Sequence, residues 1–147
     1  MPNIKARLAA MAGAAALTAG LLAAGAGPAS AAEDSFHFEL QHMGSDTYIN
    51  VFNDSMEGRL AGWGGWWADP GTSGEPGDTL VAYDNLADGY GIESHLSTGR
   101  TATTRGHSAK YQDTTSGDLP EGNHYLMWVC VVKGSWSKCS TKEDVWA

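Results

Sequence analysis

The chain has 147 residues, of which 42% are hydrophobic and 18% charged, with 17 acidic side chains against 9 basic ones and a formal charge of −8. That balance repels nucleic acid and anionic membrane, whose phosphates are held by clustered lysine and arginine. It suits a basic partner, or simply keeps the protein in solution.

The first element is a leader. Lys5 and Arg7 precede an alanine- and glycine-rich apolar run from Leu8 to Ala26, which gives way to Pro28-Ala29-Ser30-Ala31. Positive charge, apolar run and small-residue exit, in that order, read as a secretory signal peptide cut after Ala31. The run has the length of a spanning helix, but it is mostly Ala and Gly and no stop-transfer charge cluster follows it, so no stable membrane insertion is expected. Residues 1–31 are therefore assigned to the signal, and 32–147 to a single secreted, extracellular domain with one core. Every acidic residue follows the cut, so losing Lys5 and Arg7 takes the formal charge from −8 to −10.

Phe36-His37-Phe38-Glu39-Leu40 alternates apolar and polar residues and predicts a strand, followed after a polar break by another at Tyr48-Ile49-Asn50-Val51-Phe52. Residues 58–67 mix glycines with Leu60, Trp63, Trp66 and Trp67, which fits a bulged strand or an aromatic loop. The segment from Pro70 to Asp78 is turn material. Strands are expected at 79–83 and 90–96, with an Asp-, Asn- and Gly-rich turn at 84–89 between them. A short strand is expected at 101–105 and the strongest one at 126–132, with an excursion at 106–123 that has room for a strand at Tyr111. Nowhere after the leader does an apolar period of 3.6 persist with caps, so almost no helix is predicted.

Cys130 and Cys139 fit an oxidised compartment and lack the Cys-x-x-Cys spacing of a redox centre, so they read as a structural disulfide bond. Paired across a hairpin, they set Lys133 opposite Trp136 around a Gly134-Ser135 loop, with glycine first as a type II′ turn prefers. The pair then falls at a non-hydrogen-bonded position, where Cα atoms lie about 4.5 Å apart. The same register carries on to place Lys142 opposite Met127. Short strands, turn chemistry and one stapled hairpin together predict an all-β fold, a small antiparallel β-sandwich or open barrel.

Few residue patterns offer chemistry. There is no Gly-x-Ser-x-Gly elbow, and a pairing of His95 with Asp84 or Asp88 is the one local base-and-carboxylate combination to examine. The five histidines are scattered without a His-Glu-x-x-His frame. The 84–89 turn offers oxygen ligands for calcium but lacks EF-hand spacing, and side-chain to backbone bonding explains it better. No catalytic residue, metal or cofactor is assigned.

Binding is the better expectation. Trp63, Trp66 and Trp67 concentrate apolar area with polar N–H handles, suited to an interface or to stacking on a sugar, although glycine-flanked tryptophans also fill small cores. Trp136, beside the hairpin turn, and Trp146 are better placed for exposure. Phe36, Phe38 and Leu40 lie on a possible N-terminal arm, residues 32–42, which either completes its own sheet or is donated to a partner's open edge.

The stretch Tyr83-Asp84-Asn85-Leu86-Ala87-Asp88-Gly89-Tyr90-Gly91, with Gly106-His107, Leu119-Pro120-Glu121-Gly122 and Tyr125-x-Met127-x-Val129-Cys130, resembles small secreted β-rich proteins of streptomycetes and related actinobacteria. Across 80–140 the chain is similar to the adaptor subunit of secreted umbrella toxin particles. That resemblance implies a non-enzymatic connector between a lectin-like subunit and a large repeat-containing toxin, acting in interbacterial antagonism. Read from the residues themselves, the partner-binding candidates are Phe36, Phe38 and Leu40 on the arm and Trp63, Trp66, Trp67 and Trp136 as aromatic anchors. A carbohydrate- or cell-wall-binding module and a small secreted enzyme inhibitor are the alternatives.

Overall fold

A computed structural model describes residues 34–71 and 76–147; the assigned signal peptide, residues 32–33 and the middle of the 70–78 turn lie outside the described residues. The strands, in chain order, are β1 (Phe36–Met43), β2 (Asp46–Asn53), β3 (Arg59–Trp67), β4 (Thr79–Asp84), β5 (Gly91–Leu96), β6 (Thr101–Thr103), β7 (Tyr111–Thr115), β8 (His124–Lys133), β9 (Trp136–Cys139) and β10 (Glu143–Trp146). The helical content of the described residues is a single 3-10 turn, Asp54–Met56.

The strands form two antiparallel sheets. One has the order β1-β2-β3-β4-β7; the other runs β10-β8-β5-β6, with β9 also pairing with β8. They stack as an open sandwich whose interior is lined by Ile49, Val51, Trp66, Leu80, Ile92, Leu96, Met127, Val129 and Val131, all at most 2% exposed. The alternation in β2 is strict, with Thr47, Ile49, Val51 and Asn53 buried and the residues between them half-buried. The expected bulge lies between β2 and β3, where Val51 pairs with Gly62 but Phe52 with Leu60, leaving Ala61 as the extra residue.

Two glycines set how closely the sheets approach. A Cβ on Gly62 would lie 2.2 Å from the Tyr83 carbonyl oxygen and 2.6 Å from Ile92 Cγ1. One on Gly64 would lie 2.2 Å from Ser94 Oγ and 2.3 Å from Val129 Cγ2. With β3 bare at these positions, β5 comes near enough for Ser94 Oγ to donate to the Val81 carbonyl at 2.5 Å, bonding one sheet to the other.

The hairpin register matches the expectation: Cys130 faces Cys139 and Lys133 faces Trp136. Gly134 sits at φ +55° while Ser135 does not take the left-handed region, as a type II′ loop requires. The disulfide is formed, with the Cα atoms 4.0 Å apart. Beyond Ser140 the expected register fails. Met127 pairs with Glu143 rather than Lys142, because the chain slips by one residue between β9 and β10. That slip turns Val145 into the core, at 1% exposure, and makes the last segment a strand the sequence reading had not separated from its polar edge.

The segment read as an arm is an edge strand. β1 pairs with β2 along its whole length, from Phe36 opposite Asn53 to Met43 opposite Asp46, so it completes its own sheet. Its start is clamped by the stapled hairpin. Phe36 packs edge-on against Tyr90 and near Trp136, and Lys138 Nζ donates to the Phe36 carbonyl at 2.6 Å.

Two stability tests follow from this packing. Gly64→Ala should cost at least about 2 kcal/mol, because its Cβ meets two side chains of the facing sheet at once, as read by urea denaturation. Reducing the disulfide, which closes a loop with a sequence separation of 9, should cost roughly 2 to 3 kcal/mol by the same measurement.

Candidate functional site

The tryptophans separate by face. Trp66 points inward, is fully buried, and donates its Nε1–H to the Trp146 carbonyl at 2.8 Å. It is a core residue and has no surface to offer a partner. Phe36, 2% exposed, is removed from the candidates for the same reason. Trp136, expected to be exposed, instead packs half-buried against Phe36 and Tyr90, with its ring 5.6 Å from the tyrosine's.

Trp63 and Trp67 lie on the outer face of the same strand. Trp63 meets Tyr48 edge-on at 5.5 Å and Tyr83 at 5.6 Å with the ring planes 33° apart. Trp67 Nε1 donates to the Tyr48 hydroxyl at 3.0 Å. Burial pushes the Tyr48 phenol above its ordinary pKa, so the hydroxyl stays protonated. Tyr48 and Tyr83 were not singled out from sequence; the usable signal was their alternation, which puts both on the Trp63 side of neighbouring strands.

A second surface lies where β1 and β10 border the sandwich. Leu40 at 45%, Met43 at 58% and Trp146 at 56% are, among the described residues, the large apolar side chains most open to solvent; β1's alternation puts Leu40 and Met43 on opposite faces of the strand. Phe38 is partly buried against the core. A cavity of about 290 Å³ opens here, lined by His42, Thr47, Asp69, Glu121, Asp144 and Trp146. With a two-residue loop at Gly44-Ser45 the Met43–Asp46 pair is hydrogen-bonded, so the amides of Phe38, Leu40 and His42 point away from β2 to the open side. β1 itself carries no Lys, Pro or bulge, and among the devices that ordinarily blunt an exposed edge strand it has one exposed charge, Glu39.

The acid and base candidates resolve differently from the sequence expectation. His95 does not meet Asp84 or Asp88. Its Nε2 lies 3.5 Å from Glu93 Oε2, its Nδ1 3.2 Å from Thr101 Oγ1, and its ring stacks on Trp128 at 5.2 Å, while Lys142 Nζ sits 4.7 Å from the Trp128 ring centre. Burial lowers the His95 pKa, and Glu93 opposes it. This cluster lies on the outer face of the second sheet, outside the cavities lined by Asp84, His42 and Asp78, and Glu93 Oε1 is already held by Arg105 at 2.5 Å and Thr103 at 3.0 Å.

The 84–89 turn is held by its own side chains. Asp84 Oδ1 accepts from the Leu86 amide at 3.2 Å, Asp88 Oδ1 from the Tyr90 amide at 3.0 Å, and Asp88 Oδ2 from Asn53 Nδ2 at 3.0 Å. Among the described residues no group of three or more His, Cys, Asp or Glu is placed to hold a metal ion. No described helix is long and apolar enough to cross a membrane.

Asp84 is nonetheless unusual. It lines a cavity of about 440 Å³ with Tyr90, Thr104, Arg105, His107 and Lys133, and is 4% exposed. Both cations are engaged elsewhere, Arg105 with Glu93 and the Gly134 carbonyl, and Lys133 over the Tyr90 ring at 4.2 Å. Desolvation, reinforced by Asp88 and opposed by the Leu86 amide, pushes the Asp84 carboxyl up to about 6.

A carboxyl whose folded pKa is raised stabilises the fold fully below its unfolded value, near 3.8, and loses that contribution as pH rises through 6. Asp84→Asn, which keeps an acceptor for Leu86, should therefore be more stable than the parent at pH 7 by about 1 to 2 kcal/mol. The difference should vanish near pH 4, as followed by thermal melts across that range. Comparison with known proteins finds no matching family model, curated protein or solved structure, so the geometry stands on its own.

Proposed function

We propose that the domain is a secreted, non-enzymatic adaptor that binds a protein partner through the β1 edge, linking a lectin-like subunit to a large repeat-containing toxin in interbacterial antagonism. The observation that supports this reading most is the open edge of β1, where outward amides at Leu40 and His42 accompany exposed Leu40 on one face of the strand and Met43 on the other, with Trp146 on the neighbouring β10. An extended segment adding a strand here would gain backbone hydrogen bonds, and its alternate side chains would meet Leu40 on one face of the sheet and Met43 on the other. The carboxylates Asp69, Glu121 and Asp144 in the adjoining cavity favour a partner segment that carries lysine or arginine.

The test is affinity capture of the tagged protein from the culture supernatant of its own source, with intact-complex mass analysis. Stoichiometric recovery of a lectin-like protein and a very large repeat protein is expected. Leu40→Lys, exposed and therefore tolerated by the fold, should weaken the complex at least about tenfold, a loss of some 1.4 kcal/mol. A monomer with no protein partner, or a complex indifferent to Leu40→Lys, would remove this reading.

A further inference from the structure

The outer face of the first sheet is built unlike the β1 edge. Its rows follow from the strand register. One runs Glu39, Asn50, Trp63, Tyr83 and Gln112 across β1, β2, β3, β4 and β7; the next runs Gln41, Tyr48, Gly65, Val81 and Thr114. Gly65 is the hinge of the arrangement. A Cβ there would come 3.1 Å from Trp63 Cζ3 and 3.3 Å from Tyr48 Cδ1, so both rings lie close over bare backbone, where any side chain would lift them away.

Such a face has two properties. In the two rows the accessible apolar area comes as half-buried ring surfaces, since Val81 beneath them is fully buried. Around the rings stand hydrogen-bonding groups: Asn50 Nδ2 donates to Gln41 Oε1 at 3.3 Å, the Tyr48 hydroxyl accepts from Trp67 and lies 3.5 Å from Asp46 Oδ2, and Gln112 and Thr114 are exposed. Neither row contains a lysine or arginine, and Glu39 is the only charge in them.

We propose that this face, independently of the β1 edge, is a platform for a neutral, extended polysaccharide chain, with Trp63 and Tyr83 stacking on successive sugar rings and Gln41, Asn50 and Gln112 bonding their hydroxyls. Aromatic faces bounded by amides and hydroxyls match a sugar, which has an apolar C–H face and a polar rim. The charge decides the ligand class. With Glu39 on the face and no cation in the rows, phosphorylated or uronic-acid glycans are repelled and uncharged chains are not. Within these two rows no aliphatic side chain that would suit a protein interface core is accessible, since Val81 is fully buried; Met43 and Leu60 lie outside the rows, at their flanks.

The experiment titrates the mature protein with cellohexaose and with chitohexaose, followed by tryptophan fluorescence and by calorimetry, alongside pull-down on insoluble cellulose and chitin. Saturable binding to at least one of them is expected, weakened at least about tenfold in Trp63→Ala. Because Trp63→Ala also removes packing around Tyr48, Tyr83→Ala and Asn50→Ala serve as milder variants, each checked for fold by circular dichroism and expected to weaken binding several-fold. Leu40→Lys should bind the sugar as the parent does, which keeps this site distinct from the protein edge. Absence of saturable binding to all four probes, equal affinity in the Trp63 and Tyr83 variants, or a loss in Leu40→Lys would overturn the proposal.

Discussion

The close approach of the two sheets at Gly62 and Gly64 is the constraint on which the rest of the molecule depends. Because those positions carry no side chain, Ser94 reaches the Val81 carbonyl, and Ile92 and Val129 pack directly against the β3 backbone. A core this thin is filled mostly by small and medium side chains, with one indole, Trp66, tying it to the last strand through the Trp146 carbonyl. The remaining large rings of the central strands are displaced to the other side. Tyr48, Trp63 and Tyr83 gather on the outer face, so the packing that closes the sandwich also produces its aromatic surface.

The hairpin staple has an equally directed effect. It joins β8 to β9 at Cys130 and Cys139 and so holds Trp136 and Lys138 where they meet Phe36 and the start of β1. β1 is thereby rigid at its beginning and open along its second half, where Leu40 and Met43 face solvent. One end of the strand serves the fold, and the other is left available.

Much of the fold was legible because period-two alternation marks half-buried strands, and because the Cys130–Cys139 spacing with Gly134-Ser135 between them leaves one hairpin register. The rest was hidden for definable reasons. Trp63 and Trp66 look alike in sequence, since the glycines at 62, 64 and 65 remove the side chains that would have shown which phase of β3 faces inward. Tyr-Gln-Asp-Thr-Thr in β7 has no apolar alternation, and pairs only because β4, buried on both faces, needs a neighbour. The slip after Ser140 cannot be seen in a polar run, so β10 and the burial of Val145 were missed. The association of Tyr83 with Trp63 needs a cross-strand register that no local pattern contains.

The order of the chain gives the clamp on β1 a further meaning. Strands β1 to β4 form a meander from consecutive segments, whereas the groups that secure its leading edge, Trp136 and Lys138, come from the last hairpin. As a chain made from its N-terminus emerges, every strand of the first sheet, β7 included, precedes both cysteines. Until the hairpin arrives, Phe36 and its carbonyl lack their final neighbours. Any extended segment met during that interval competes with the protein's own C-terminal region for the same end of the strand, so the closing of the domain decides when that end is sealed.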